Sequence, residues 1–262
     1  MAVFHASLDD GTRARPGPDL IVPLHVAALE LPARWNQPSI VLAEADRLLA
    51  SASAPDLALL PEAALTGYVS PDRDFDLGPF AEPVTGPTAR ALAALARAHG
   101  CYLAGPLIER DGASTYNAFL VFAPDGARVA HYRKRHPWYP ETWATPGDAP
   151  PPVFEVRGAR VTLAVCFDAQ FLAEDAAREL GEADVLLFPS AWVERHASRE
   201  ALLRGLARRF DVAVVNANWG VGEPSVPGQG GSRVLGRDGE VLAMAHGAGR
   251  IDARVDLGSR RR

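Results

Sequence analysis

Cysteine is scarce in this chain: 262 residues hold only Cys101 and Cys166. Two thiols cannot make a disulfide framework, so stability has to come from a buried core, and a chain of this length can supply one. Long apolar runs are missing as well. No stretch of 18 apolar residues occurs, so no membrane-spanning helix is expected. Positive charge is not in excess. Lys and Arg number 27 against 32 Asp and Glu, for a formal charge of −5. The arginines are scattered apart from the terminal Arg260-Arg261-Arg262, so a nucleic-acid partner is not expected. The seven histidines are dispersed, with no His-x-x-x-His or Cys-x-x-Cys spacing, so no metal site is expected. No Gly/Ser linker and no fixed-period repeat divides the sequence, which predicts one domain over residues 22–262. Residues 1–21 have early acids and no apolar signal-peptide core. They are expected to form a flexible arm on a cytoplasmic protein.

What remains is an alternation of apolar β-type runs with alanine- and leucine-rich helical runs. Strands are predicted at 20–31, 55–60, 101–110, 160–166, 184–192, 212–219 and 249–257. Helices are predicted at 38–52, 86–100, 171–183 and 198–210, the second starting near Pro87 and stopping at Gly100. Hairpins are predicted around Asp125-Gly126 and Asp238-Gly239. Several strands are continuously apolar, the mark of strands covered on both faces in a layered α/β protein. The hairpins make the sheets mixed. Residues 137–152 are proline-rich but carry aromatics, and are expected to be a structured loop.

Three reactive side chains end apolar runs: Glu62 after "LALLP", Lys134 after "ARVAHYR" and Cys166 after "VTLAV". Strand ends in layered α/β folds host function. The chemistry of the trio is coherent. A thiol has to lose its proton to attack a carbonyl carbon. A carboxylate takes that proton and returns it to a leaving amine. An ammonium favours the thiolate and faces the charge developing on the carbonyl oxygen. Each residue alone has a bland reading: a core thiol, a surface turn, a solvated charge run.

Taken together with their neighbours, these residues resemble the nitrilase superfamily of carbon–nitrogen hydrolases. "LLPEAALTGY" resembles its glutamate motif, "YRKRH" its lysine motif and "VCFDAQF" its cysteine motif, in the family's order. "PETWATPGD", "ADVLLFPSAW", "NANWGVGE" and "GGSRVLGRDGEVLA" extend the similarity over about residues 22–255. The resemblance implies a four-layer α-β-β-α sandwich with mixed sheets. It implies Glu62 as general base, Lys134 as oxyanion stabiliser, Cys166 as nucleophile, and Glu141 as a second acid orienting the lysine or the substrate amine. It also implies catalysis without metal or cofactor, and a homodimer or larger homo-oligomer. Two departures stand out: Leu172-Ala173 where the family has Pro-Glu, and Arg209-Phe210 where it has Glu-Asn.

Nitrile-hydrolysing members resemble "CWE" at the nucleophile; here the triplet is Cys166-Phe167-Asp168. The expected reaction is therefore hydrolysis of a small linear carboxamide to carboxylate and ammonia through a thioester. The alternatives are an N-carbamoyl compound as substrate, or a catalytically idle binding partner. Aromatics that flank the motifs are Tyr68, Trp138, Tyr139, Trp143 and Trp192. Tyr68, Tyr139, Phe167 and Trp192 are the candidates for contacting substrate. Cys101 is expected in the core. His131 and His136 flank the lysine motif and leave a papain-type Cys–His pair as a rival reading.

Overall fold

The computed structural model describes residues 23–257; the expected arm at 1–21 lies outside them. Twelve strands and five α-helices are found among the described residues. The first sheet holds β1 (Leu24–Glu30), β2 (Leu57–Leu59), β3 (Tyr102–Asp111), β4 (Ser114–Phe122), β5 (Arg128–Arg133) and β12 (Gly249–Val255). Its order is β12-β1-β2-β3-β4-β5. The second holds β6 (Phe154–Val156), β7 (Ala159–Leu163), β8 (Val185–Ser190), β9 (Ala213–Asn218), β10 (Arg233–Leu235) and β11 (Val241–Met244), in the order β11-β10-β9-β8-β7-β6. Each sheet has three parallel strands at its centre and antiparallel strands outside, so both are mixed. Helices α1 (Pro38–Ala50) and α2 (Pro87–His99) cover the first sheet. Helices α3 (Leu172–Asp175), α4 (Ala177–Glu182) and α5 (His196–Phe210) lie against the second. This is the α-β-β-α sandwich, and no helix among the described residues is long and apolar enough to cross a membrane.

Strand β1 shows why the runs are continuously apolar. Leu24, Val26 and Ala28 point into the core between the sheets, while Ala27 and Leu29 pack under α1 and α2. Alternating side chains of one strand thus serve two cores. Helix α2 starts with Pro87 in its first turn and ends at Gly100, whose φ of 60° carries the chain out of the helix.

Two local expectations need correction. The helix expected over 171–183 is broken at Ala176 into α3 and α4, and a 3-10 turn at Cys166–Gln170 precedes it. Ala176 leaves the helical region (φ −139°, ψ 27°), and the Asp175 carbonyl accepts the Arg135 guanidinium at 3.4 Å. The strand expected to run to Cys166 ends at Leu163; Val165 is still extended, and Cys166 turns the chain with φ 47°. Strand β6 is an addition. Arg157 and Gly158, at φ 48° and 83°, form the two-residue turn between Val156 and Ala159.

Glu109 on β3 is buried beneath His131 and Arg133 of β5, at 2.7 and 2.6 Å. Burial opposes its charge, but the hydrogen bonds from His131 and Arg133 outweigh it and hold the carboxyl at about 2, below its ordinary 4.5. A depressed folded-state pKa adds stability above pH 4.5 that is lost as pH falls towards 2. The contribution is on the order of 3 kcal/mol. Glu109→Gln is expected to lower stability at pH 7 and to flatten the acid limb of the stability–pH curve in that window, read by urea unfolding.

Candidate active site

Three strand ends converge on one buried point. Glu62 follows β2 by three residues, at the turn where Ala63 takes φ 49°. Lys134 directly follows β5, and its N–H donates to the Asn117 carbonyl of β4 at 2.8 Å. Gly147 fixes this turn. Its N–H donates to the Lys134 carbonyl at 2.9 Å, and a Cβ there would meet the Arg133 carbonyl oxygen at 2.2 Å. Cys166 follows β7 and opens the 3-10 turn in the left-handed region, uncommon for a non-glycine residue.

The Lys134 ammonium is fully buried between two carboxylates, 2.8 Å from Glu62 Oε1 and 2.6 Å from Glu141 Oε1. The Asn117 amide donates to the same Glu62 oxygen at 2.8 Å and to Glu141 Oε2 at 3.4 Å. Tyr68 donates its hydroxyl to Glu141 Oε1 at 2.6 Å. Glu62 Oε2 accepts the Ala191 N–H at 2.9 Å, and Ala191 and Cys166 line the same pocket.

The charges follow from this geometry. Burial works against the Lys134 ammonium, but Glu62 and Glu141 outweigh it and hold its pKa above the ordinary value. Burial, then repulsion from Glu62, keeps the Glu141 carboxyl above its usual range despite Lys134. Burial, and after it the Glu62 charge, pushes the Cys166 thiol well up; Lys134 opposes this without reversing it. The resting sulfur therefore keeps its proton. Lys134 acts in the expected direction, favouring the thiolate, but burial is the larger effect and Glu62 adds to it.

Asp168 ties the lysine and cysteine turns together. Its Oδ1 accepts the Arg135 and His136 N–H groups at 3.1 and 2.8 Å. Its Oδ2 accepts the Tyr132 hydroxyl at 2.9 Å and the Val165 N–H at 3.1 Å.

A pocket of about 50 Å³ opens onto Cys166. Of the aromatics expected to contact substrate, Tyr68, Phe167 and Trp192 line it. Tyr139 does not: it is 81% exposed, its ring lying edge-on against Trp138. Trp138, one residue earlier, takes the wall position and stacks on Tyr68. Cys101 is core, its thiol raised to about 11 by burial. The papain-type reading finds no support. His136 bonds Asp175 at 2.7 Å and stacks on Phe171, and His131 bonds Glu109. Among the described residues no group of three or more His, Cys, Asp and Glu side chains is placed to hold a metal.

Sequence reasoning missed Asn117 and Asn218. Both are polar residues inside buried strands, and that interruption is the signal that could have found them. Asn218 Oδ1 accepts the Trp192 N–H at 3.0 Å, and its amide donates to the Gly228 and Gly230 carbonyls.

Two mixed sheets between helix layers, with these strand ends converging beside the pocket, form the architecture of the nitrilase superfamily. The carbon–nitrogen hydrolase profile matches residues 25–262, and the chain belongs to that family. It is 30% identical over 224 residues to a nitrilase from Pyrococcus abyssi, covering 84% of each chain. It is 28% identical over 245 residues to an omega-amidase from Escherichia coli, covering 91% of this chain and 92% of that one. An amidase from Nesterenkonia sp. superposes with a TM-score of 0.77 at 25% identity, over 97% of both chains.

Proposed function

We propose that this carbon–nitrogen hydrolase is an amidase, cleaving a small linear carboxamide to carboxylate and ammonia with Cys166 as nucleophile. The observation that carries this reading is the fully buried Lys134 ammonium held between Glu62 and Glu141, with Cys166 on the pocket wall alongside Ala191, whose N–H binds Glu62. The Cys166 proton passes to Glu62 as the sulfur attacks the carbonyl carbon. The oxygen, now negative, faces Lys134. Two of the three ammonium protons are engaged by Glu62 and Glu141, leaving one for that oxyanion. Collapse of the tetrahedral adduct expels ammonia, which takes its proton from Glu62, and leaves a thioester on Cys166. Glu62 then deprotonates water, which attacks the thioester, releases the carboxylic acid and restores the thiol. Glu141 holds Lys134 and is itself held by Tyr68.

The small pocket supports a short acyl chain. Amide over nitrile is supported by the omega-amidase and Nesterenkonia amidase relatives and by Cys166-Phe167-Asp168, against the Pyrococcus abyssi relative named a nitrilase. A second reading is an N-carbamoyl substrate; an N-carbamoylputrescine amidase from Arabidopsis thaliana is 28% identical over 158 residues. Ammonia release from matched short amides, N-carbamoyl amines and nitriles tests both. Release from amides is expected. Release from nitriles alone would overturn the assignment.

A further inference from the structure

We infer that the pocket selects acyl chains ending in an ammonium over chains ending in a carboxylate, with Glu194 at the mouth reading the charge. This rests on the amidase reading above and deepens it. Around Cys166 the walls are the rings of Tyr68, Trp138, Phe167 and Trp192, and Glu194 is the one charged side chain among the described residues lining the pocket. The nearby ammonium of Lys134 is already shared between two carboxylates, so it offers no free cation to a substrate carboxylate. Glu194 accepts the Ser198 hydroxyl at 3.2 Å, and no cation among the described residues pairs with it.

The backbone that carries Glu194 is pinned relative to the thiol. Ala191 donates to Glu62 at 2.9 Å, Trp192 donates to Asn218 at 3.0 Å, and the Trp192 carbonyl accepts the Trp219 indole N–H at 2.8 Å. Gly228 packs so closely that a Cβ there would lie 2.2 Å from the Trp192 carbonyl oxygen and 2.5 Å from that of Glu194. An ammonium at this mouth meets a carboxylate and aromatic faces, both of which attract it. A carboxylate in the same place is repelled by Glu194, and no cation among the described residues lining the pocket offsets that repulsion.

The test is a matched series: γ-aminobutyramide, pentanamide and succinamate, which differ at the far end as cation, neutral and anion. The expected order of kcat/KM is cation, neutral, anion, with roughly tenfold between the ends for a solvent-exposed carboxylate. Glu194→Gln is expected to bring the two ends within about threefold of each other. Succinamate turning over fastest, or an order that Glu194→Gln leaves in place, would overturn the inference. A second readout separates it from the amidase reading: protection of Cys166 from iodoacetamide by the same three compounds. Protection strongest with γ-aminobutyramide and erased in Glu194→Gln, with no turnover of any amide, would sink the amidase reading and keep the charge preference. Turnover with succinamate protecting best would do the reverse.

Discussion

Replacing Cys166 with alanine is expected to reduce amide turnover at least about 10⁴-fold while leaving the protein folded, because in the proposed mechanism it removes the covalent nucleophile and with it the reaction path. The residue is buried at 7% exposure, at the start of a 3-10 turn with φ 47°. Alanine meets the same backbone constraint, and only the sulfur is lost. The cost in stability should stay near 1 kcal/mol, at the low end of buried truncations. Ammonia release and the thermal midpoint of the same preparation check both halves.

Lys134→Met is expected to be damaging twice over. The ammonium neutralises two buried carboxylates at 2.8 and 2.6 Å, and removing it leaves both without their cation. Breaking one side of a buried ion pair costs about 3–5 kcal/mol. In wild type the Lys134 pKa is raised, so its contribution is fully present below 10.5 and is lost only as pH rises beyond that ordinary value. In the variant the sign reverses. The stranded carboxylates take up protons more readily when folded than when unfolded, so the deficit should be largest at neutral pH and shrink as pH falls. Urea unfolding across pH reads this. Activity should fall by 10³-fold or more, since the oxyanion loses its cation. The double variant Lys134→Met/Glu141→Gln separates structure from chemistry. Stability should recover in part, because one stranded charge is gone, while turnover should not.

Much of the fold was legible because the core requires it. Strands covered on both faces have to be apolar throughout, and helix α2 announces its ends with Pro87 and Gly100. The breaks at Cys166 and Ala176 were not legible. A left-handed cysteine and a helix interrupted so that Asp175 meets Arg135 and His136 are tertiary outcomes, invisible to helix propensity. The site divides in the same way. Glu62, Lys134, Glu141 and Cys166 carried motif signals, and the structure brings Lys134 between the two glutamates. Tyr139 and Trp138 are neighbours with similar rings, and only packing on Tyr68 decides which faces the pocket. Asn117 lies on β4, far along the chain from both carboxylates it bridges; nothing short of the strand order brings it there.

The most direct test of the central claim is mass spectrometry of the protein acid-quenched during turnover of a short amide, with peptide mapping. The expected result is a population heavier by the acyl group, the added mass confined to the peptide holding Cys166 and absent from Cys166→Ala. An acyl group mapped to another residue, or undiminished ammonia release by Cys166→Ala, would contradict the account.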